Sequence, residues 1–191
     1  MKNLVFAAEK GDMNTVKRLL LVHPDKINMT DPSGGTALIR AATQGRQSTV
    51  DLLLEHGADL NIQDRSGTTA LMGACFNGHT SIVQLLIACG ANLNCQNVNG
   101  RTALHRSAYR GQLDITRMLI DAGSELNLVN SLGSTALVGA SFMQQVEVAK
   151  LLVRAGATVS TSNKAGKKAS DYMKNISMKK ILLNVILLYC I

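Results

Sequence analysis

Four histidines and four cysteines are the residues of this chain best equipped for chemistry. His23, His56, His79 and His105 have the side chains of general bases or metal ligands, and Cys75, Cys89, Cys95 and Cys190 those of nucleophiles, ligands or disulfide partners. Their spacing supports none of these roles. The chain has no His-x-x-x-His pair, no Cys-x-x-Cys pair, no nucleophile elbow and no Gly-rich phosphate loop. No catalytic constellation, metal site or cofactor is therefore expected. The cysteines read as buried free thiols in a reducing compartment.

Basic and aromatic residues are the next chemical resource. The formal charge is +7, but residues 163–191 alone hold six Lys and one Asp, so the other 162 residues carry only +2. A nucleic-acid groove wants basic side chains along its length with aromatic rings between them. Arg101, Arg106 and Arg110 around Tyr109 are a local echo of that pattern, confined to one place. A nucleic-acid partner is not expected.

The elements that position these residues recur at a fixed interval of thirty-three. An Asp or Asn at 31, 64, 97, 130 and 163 is followed three residues later by Gly34, Gly67, Gly100, Gly133 and Gly166. Such a period means one supersecondary unit copied along an axis. Each copy opens Thr-Ala-Leu, at Thr36, Thr69, Thr102 and Thr135, followed by small residues such as Ala41-Ala42 and Ala74-Cys75. Thr suits a helix N-cap, and Leu with the small pair makes the apolar face of a short helix. Gly45, Gly78 and Gly111 end that helix. A greasier second block, such as Val50-Asp51-Leu52-Leu53-Leu54, reads as a second helix buried on most of its surface, stopped by Gly57, Gly90, Gly123 and Gly156 in left-handed caps.

Helix, tight turn, helix and hairpin-like loop at this period resemble the ankyrin repeat. The T-P-L-H-x-A signature appears as TALIRA, TALMGA, TALHRS and TALVGA, with Ala in place of Pro and only His105 keeping the histidine. The resemblance implies an all-α repeat solenoid of stacked helix-turn-helix units, and a scaffold or adaptor that binds a protein partner without catalysis. It also implies that His105 supports the Thr-capped turn. The four full units are assigned to residues 31–63, 64–96, 97–129 and 130–162. A degenerate capping unit with a polar outer face precedes them at 1–30, and a shortened capping unit with an apolar tail follows at 163–191. Asn61, Asn94 and Asn127 bridge loop backbone groups first; the resemblance further implies that they are possible substrates of an oxygen-dependent hydroxylase.

Partner contacts are expected on one slot of the first helix. The residue five places after each Leu lies about 140° from it on the helix, off the core. That slot holds Thr43, Phe76, Tyr109 and Phe142. In the family, this part of the helix and the hairpin tips line the concave binding groove. Phe76, Tyr109 and Phe142, with Arg65, Arg101, Arg106 and Arg110, are the expected contact residues. Gly73 and Gly139, three places before two of the rings, are expected to clear space beside them. Inter-repeat packing of the rings is the competing reading.

The segment from Ile181 to Ile191 is apolar on every face. Eleven residues are too few to span a bilayer, which takes about 20. With Lys174, Lys179 and Lys180 ahead of it, the segment leaves open a membrane-tethered regulator, against the plainer expectation of a last packed helix. Leu4–Ala8 is too short for a secretory signal, so the cytoplasm or nucleus is the expected location.

Overall fold

Four threonines start the inner helices by one device. Thr36, Thr69, Thr102 and Thr135 sit in extended backbone, and each hydroxyl oxygen accepts a hydrogen bond from the N–H three residues on, at Ile39, Met72, His105 and Val138. This satisfies one of the orphan donors of the first turn. The structure, a computed structural model, describes residues 3–172. Its regular elements are helices throughout, with one isolated bridge between Thr30 and Thr36.

The helices divide into two compact units, one ending at Val98 and the other starting at Asn99. The first contains α1 (Leu4–Lys10), α2 (Met13–Val22), a 3₁₀ turn at Pro24–Lys26, α3 (Ala37–Thr43), α4 (Gln47–Glu55), α5 (Ala70–Asn77) and α6 (Thr80–Ala88). Within it α3 packs between α1 and α5, while α4 contacts α2 and α6. The second unit contains α7 (Ala103–Arg110), α8 (Leu113–Asp121), α9 (Ala136–Phe142), α10 (Val146–Arg154) and α11 (Ala169–Tyr172). There α9 packs between α7 and α11, and α8 lies against α10.

Burial reverses one expectation. The first helix of each pair is the enclosed one: Ala70 to Cys75 are all buried in α5, and only Arg40 and Thr43 escape full burial in α3. The second helices bury a single stripe, Val50 and Leu53 in α4 or Ile82, Val83 and Leu86 in α6, while Leu52, Leu54 and Leu85 are half-buried. The inner helices have neighbours on more sides, and their small residues let those neighbours come close. The greasier outer helices have fewer neighbours to cover them.

The hairpin loops are tied by their Asp or Asn. The Oδ1 of Asp31, Asp64, Asn130 and Asn163 accepts backbone N–H groups from two and four residues ahead, at 2.8–3.1 Å. Successive loops within a unit also join through the backbone: the N–H of Arg65 donates to Ser33 O, and that of Lys164 to Leu132 O, both at 2.9 Å. At the first loop Arg40 reaches back to Asp31, with Nε 2.8 Å from Oδ2, and also meets the Ser33 hydroxyl. Burial pushes the Asp31 carboxyl up, but hydrogen bonds from Ser33, Gly35 and Arg40 outweigh it and hold the group at about 2.

Two departures from the repeat have structural consequences. Gln144 stands where sister copies have glycine, and it does take the left-handed backbone, at φ 58°. Its side chain compensates, because Nε2 donates to Ser141 O at 3.0 Å and to Tyr172 O at 2.6 Å. The amino-terminal helix pair exposes polar Lys10, Asn14, Lys17 and Arg18, but apolar side chains stand among them. Leu21 is 84% exposed, and Phe6, Val22 and Met29 are exposed as well.

Candidate functional site

The second unit gathers aromatic and polar side chains into one groove of about 210 Å³. Tyr109 from α7, Val138, Gly139 and Phe142 from α9, and Tyr172 from α11 form its apolar wall. Arg101, Asn130 and Leu132 bring the hairpin tips to its edge. Phe142 is 56% exposed, and Tyr172 stands edge-on to it, with centroids 5.3 Å apart and planes at 81°. The Tyr172 hydroxyl accepts a hydrogen bond from Asn163 Nδ2 at 2.8 Å, which fixes the ring beside the last described hairpin. The guanidinium of Arg101 lies 5.8 Å from the centre of the Tyr109 ring, within cation–π range.

His105 forms the floor's polar anchor. It is buried at the N-terminus of α7, where the Thr102 N–H points at Nδ1 (3.3 Å) and Nε2 meets the carbonyl of Ser134 at 3.0 Å. One nitrogen must accept while the other donates, which defines a neutral imidazole protonated at Nε2. Burial pushes its pKa down, the Ser134 carbonyl pulls the other way, and Arg101 adds to the lowering. The residue supports the capped turn, as the resemblance implied, and joins two successive hairpins.

The predicted contact residues are not all equivalent. Tyr109, Phe142 and Arg101 meet on the groove, Arg110 is exposed at the end of α7, and Arg106 is half-buried within it. Phe76 and Arg65 belong to the first unit, where Phe76 is half-buried and Arg65 exposed. The two glycines behave differently as well. A Cβ on Gly73 would lie 2.1 Å from Thr43 Oγ1, so that glycine serves close packing of α3 and α5 and clears no space for a ligand. A Cβ on Gly139 would meet nothing within 4 Å among the described residues.

The loop asparagines bridge backbone groups as expected. Asn61 Oδ1 accepts the Asn92 N–H and Asn127 Oδ1 the Thr158 N–H, both at 2.8 Å. Asn61 and Asn127 are exposed and Asn94 is half-buried. The series begins one copy earlier, at Asn28, whose Oδ1 accepts the Asp59 N–H at 2.9 Å. Sequence reading missed it, although it lies thirty-three residues before Asn61. Tyr172 was missed too, because its role depends on a ring in the preceding copy.

Cys75 is buried, as expected, but Cys89 is exposed at the C-terminal cap of α6, and Cys95 is half-buried in the loop that follows. Burial pushes the Cys95 thiol pKa up. Among the described residues no three His, Cys, Asp or Glu side chains gather to hold a metal, and no helix is long and apolar enough to cross a membrane. Cys190, Lys174, Lys179, Lys180 and the apolar segment 181–191 lie outside the described residues.

A family model described as ankyrin repeats (3 copies) matches residues 4–97 and again residues 71–163. No curated protein matches the chain. Thr-capped inner helices, Asx-tied hairpins and a family match running from α1 through α10 together place the chain in the ankyrin repeat family.

Proposed function

We propose that this protein is a non-catalytic interaction module that holds a protein partner on the groove formed by the first helices and hairpin tips of its second unit. Ankyrin repeats are generally protein–protein interaction modules, and repeat stacks of this kind bind through the surface that their inner elements present. The observation that carries the reading is the exposure of Phe142 beside half-buried Tyr109 and Tyr172. A large aromatic surface left to water is costly in a monomer and is the usual anchor of an interface. Arg101 at the same edge adds a planar cation of the type enriched at such sites. On the outer face of α10, Lys150 pairs with Glu147 at 2.7 Å.

The test couples binding with melting. A partner captured by the full chain should bind Tyr109→Ala, Phe142→Ala about 1–2 kcal/mol or more weakly per ring. Because the Phe142 ring is largely exposed, its truncation should cost folding far less than the about 3–5 kcal/mol of a buried ring. Unchanged binding, or early unfolding of the double variant, would show the rings to be packing residues.

A further inference from the structure

The open space over Gly139 has a geometric origin in the repeat. In the first unit Gly73, thirty residues after Thr43, brings its Cα onto that side chain. In the second unit Tyr172, thirty residues after Phe142, stands its ring against that ring. The residue thirty places after Tyr109 is Gly139, which offers no side chain, and Tyr109, in the slot that Thr43 holds in the first unit, puts no atom within 4 Å of a Cβ placed there. Tyr109, Val138, Phe142 and Tyr172 thus surround a vacancy on the helix surface that a side chain of this chain would otherwise fill.

From this vacancy we infer that the groove is a socket for one bulky apolar side chain of an acidic peptide segment. This rests on the protein-binding reading above and assigns its partner a chemistry. The walls of the vacancy are aromatic and aliphatic, which selects an apolar occupant. The edge is basic: Arg101 lines it, no carboxylate does, and the adjoining hairpin carries exposed Lys164, Lys167 and Lys168. The nearby Asp171 is already engaged, its Oδ2 accepting the Lys168 N–H at 2.8 Å. Charge complementarity therefore favours Asp or Glu flanking the apolar residue. Two polar groups are available for the peptide backbone. Asn130 uses Oδ1 on its own loop, which leaves Nδ2 to donate, and the Tyr109 hydroxyl has no partner among the described residues.

Random-sequence peptides displayed on phage and selected on the full chain provide the probe. Enriched peptides should carry Leu, Ile, Met, Phe or Trp with an acidic neighbour, and the same peptides made synthetically should bind Gly139→Leu at least about tenfold more weakly, a loss of about 1.4 kcal/mol. Melting of that variant should stay level or rise, since Leu is the better helix former and its space is open. Arg101→Glu should weaken the same peptides. If Gly139→Leu does not fold, Gly139→Ala should weaken binding in the same direction by a smaller factor, and unchanged binding overturns the socket. Peptides that lose binding to Phe142→Ala but not to any Gly139 variant overturn the socket while leaving the groove reading intact. Enrichment of basic or uncharged peptides overturns the charge assignment. Absence of binders, or binders indifferent to Tyr109→Ala and Phe142→Ala, removes the groove reading and the socket with it.

Discussion

The side-chain amide of Gln144 donates to the carbonyl oxygen of Tyr172 at 2.6 Å and so ties the turn after α9 to α11. The same residue holds a left-handed backbone, which costs a non-glycine residue about 1–2 kcal/mol. Two hydrogen bonds of about 0.5–1.5 kcal/mol each offset that strain. Gln144→Gly should therefore change stability by less than about 1 kcal/mol, as relief and loss cancel. Gln144→Ala keeps the strain and loses both bonds, and denaturant unfolding should show it destabilised by about 1–3 kcal/mol. Clear stabilisation by the glycine would mean that the amide bonds contribute nothing.

The C-terminal part of the second unit should open before the first unit. Thr158 is held by Asn127, but Ser160 stands where earlier copies have the asparagine that ties the following loop. Amide exchange should be faster in α9 and α10 than in α3 and α5. Equal protection in both would refute the weak point.

Acid should weaken the second unit through His105. Its pKa is lowered in the folded state, so the unfolded chain takes up the proton first as pH falls through about 6.5. The unfolded state then binds more protons, and stability drops as pH falls, down to the folded-state pKa. The loss should appear as a decline in melting temperature between neutral and mildly acidic pH, shallower in His105→Asn. An identical slope in that variant would place the proton uptake elsewhere.

Asp31 should act lower on the pH scale. Held at about 2, it contributes stability that is fully present above its unfolded value of about 3.9 and is lost as pH falls through about 2. Asp31→Asn preserves the turn, since Asn130 and Asn163 accept the same N–H pattern, but removes the charge facing Arg40. It should cost about 1 kcal/mol at neutral pH, the difference between charged and neutral hydrogen bonds, and flatten the acid limb of the stability curve. A neutral-pH change near zero would mean that the Arg40 pair is solvated away.

The architecture was legible because each copy repeats its cap, its glycines and its Asx residue, so local chemistry and period agree at every unit. Burial was not, because hydropathy ranks Leu52-Leu53-Leu54 above Ala41-Ala42, whereas enclosure depends on how many neighbours a helix has. The aromatic slot was legible from helical spacing, but the groove was not. It depends on Tyr172, which reaches back thirty residues to Phe142, and on Gly139, whose role differs from that of Gly73 only because of what lies opposite. Contacts between copies are set by the stacking offset, which a period alone does not give.

The central claim is that a protein partner sits against the groove of the second unit and not against its outer helices. A photoreactive phenylalanine analogue placed at Phe142 in the full chain, in its native cell, tests this directly, with the same group at exposed Arg117 on α8 as the comparison. A discrete cross-linked protein from position 142, absent from position 117 and lost on Arg101→Glu, is the result the account predicts. Cross-linking from Arg117 alone, or from both positions without dependence on Arg101, would contradict it.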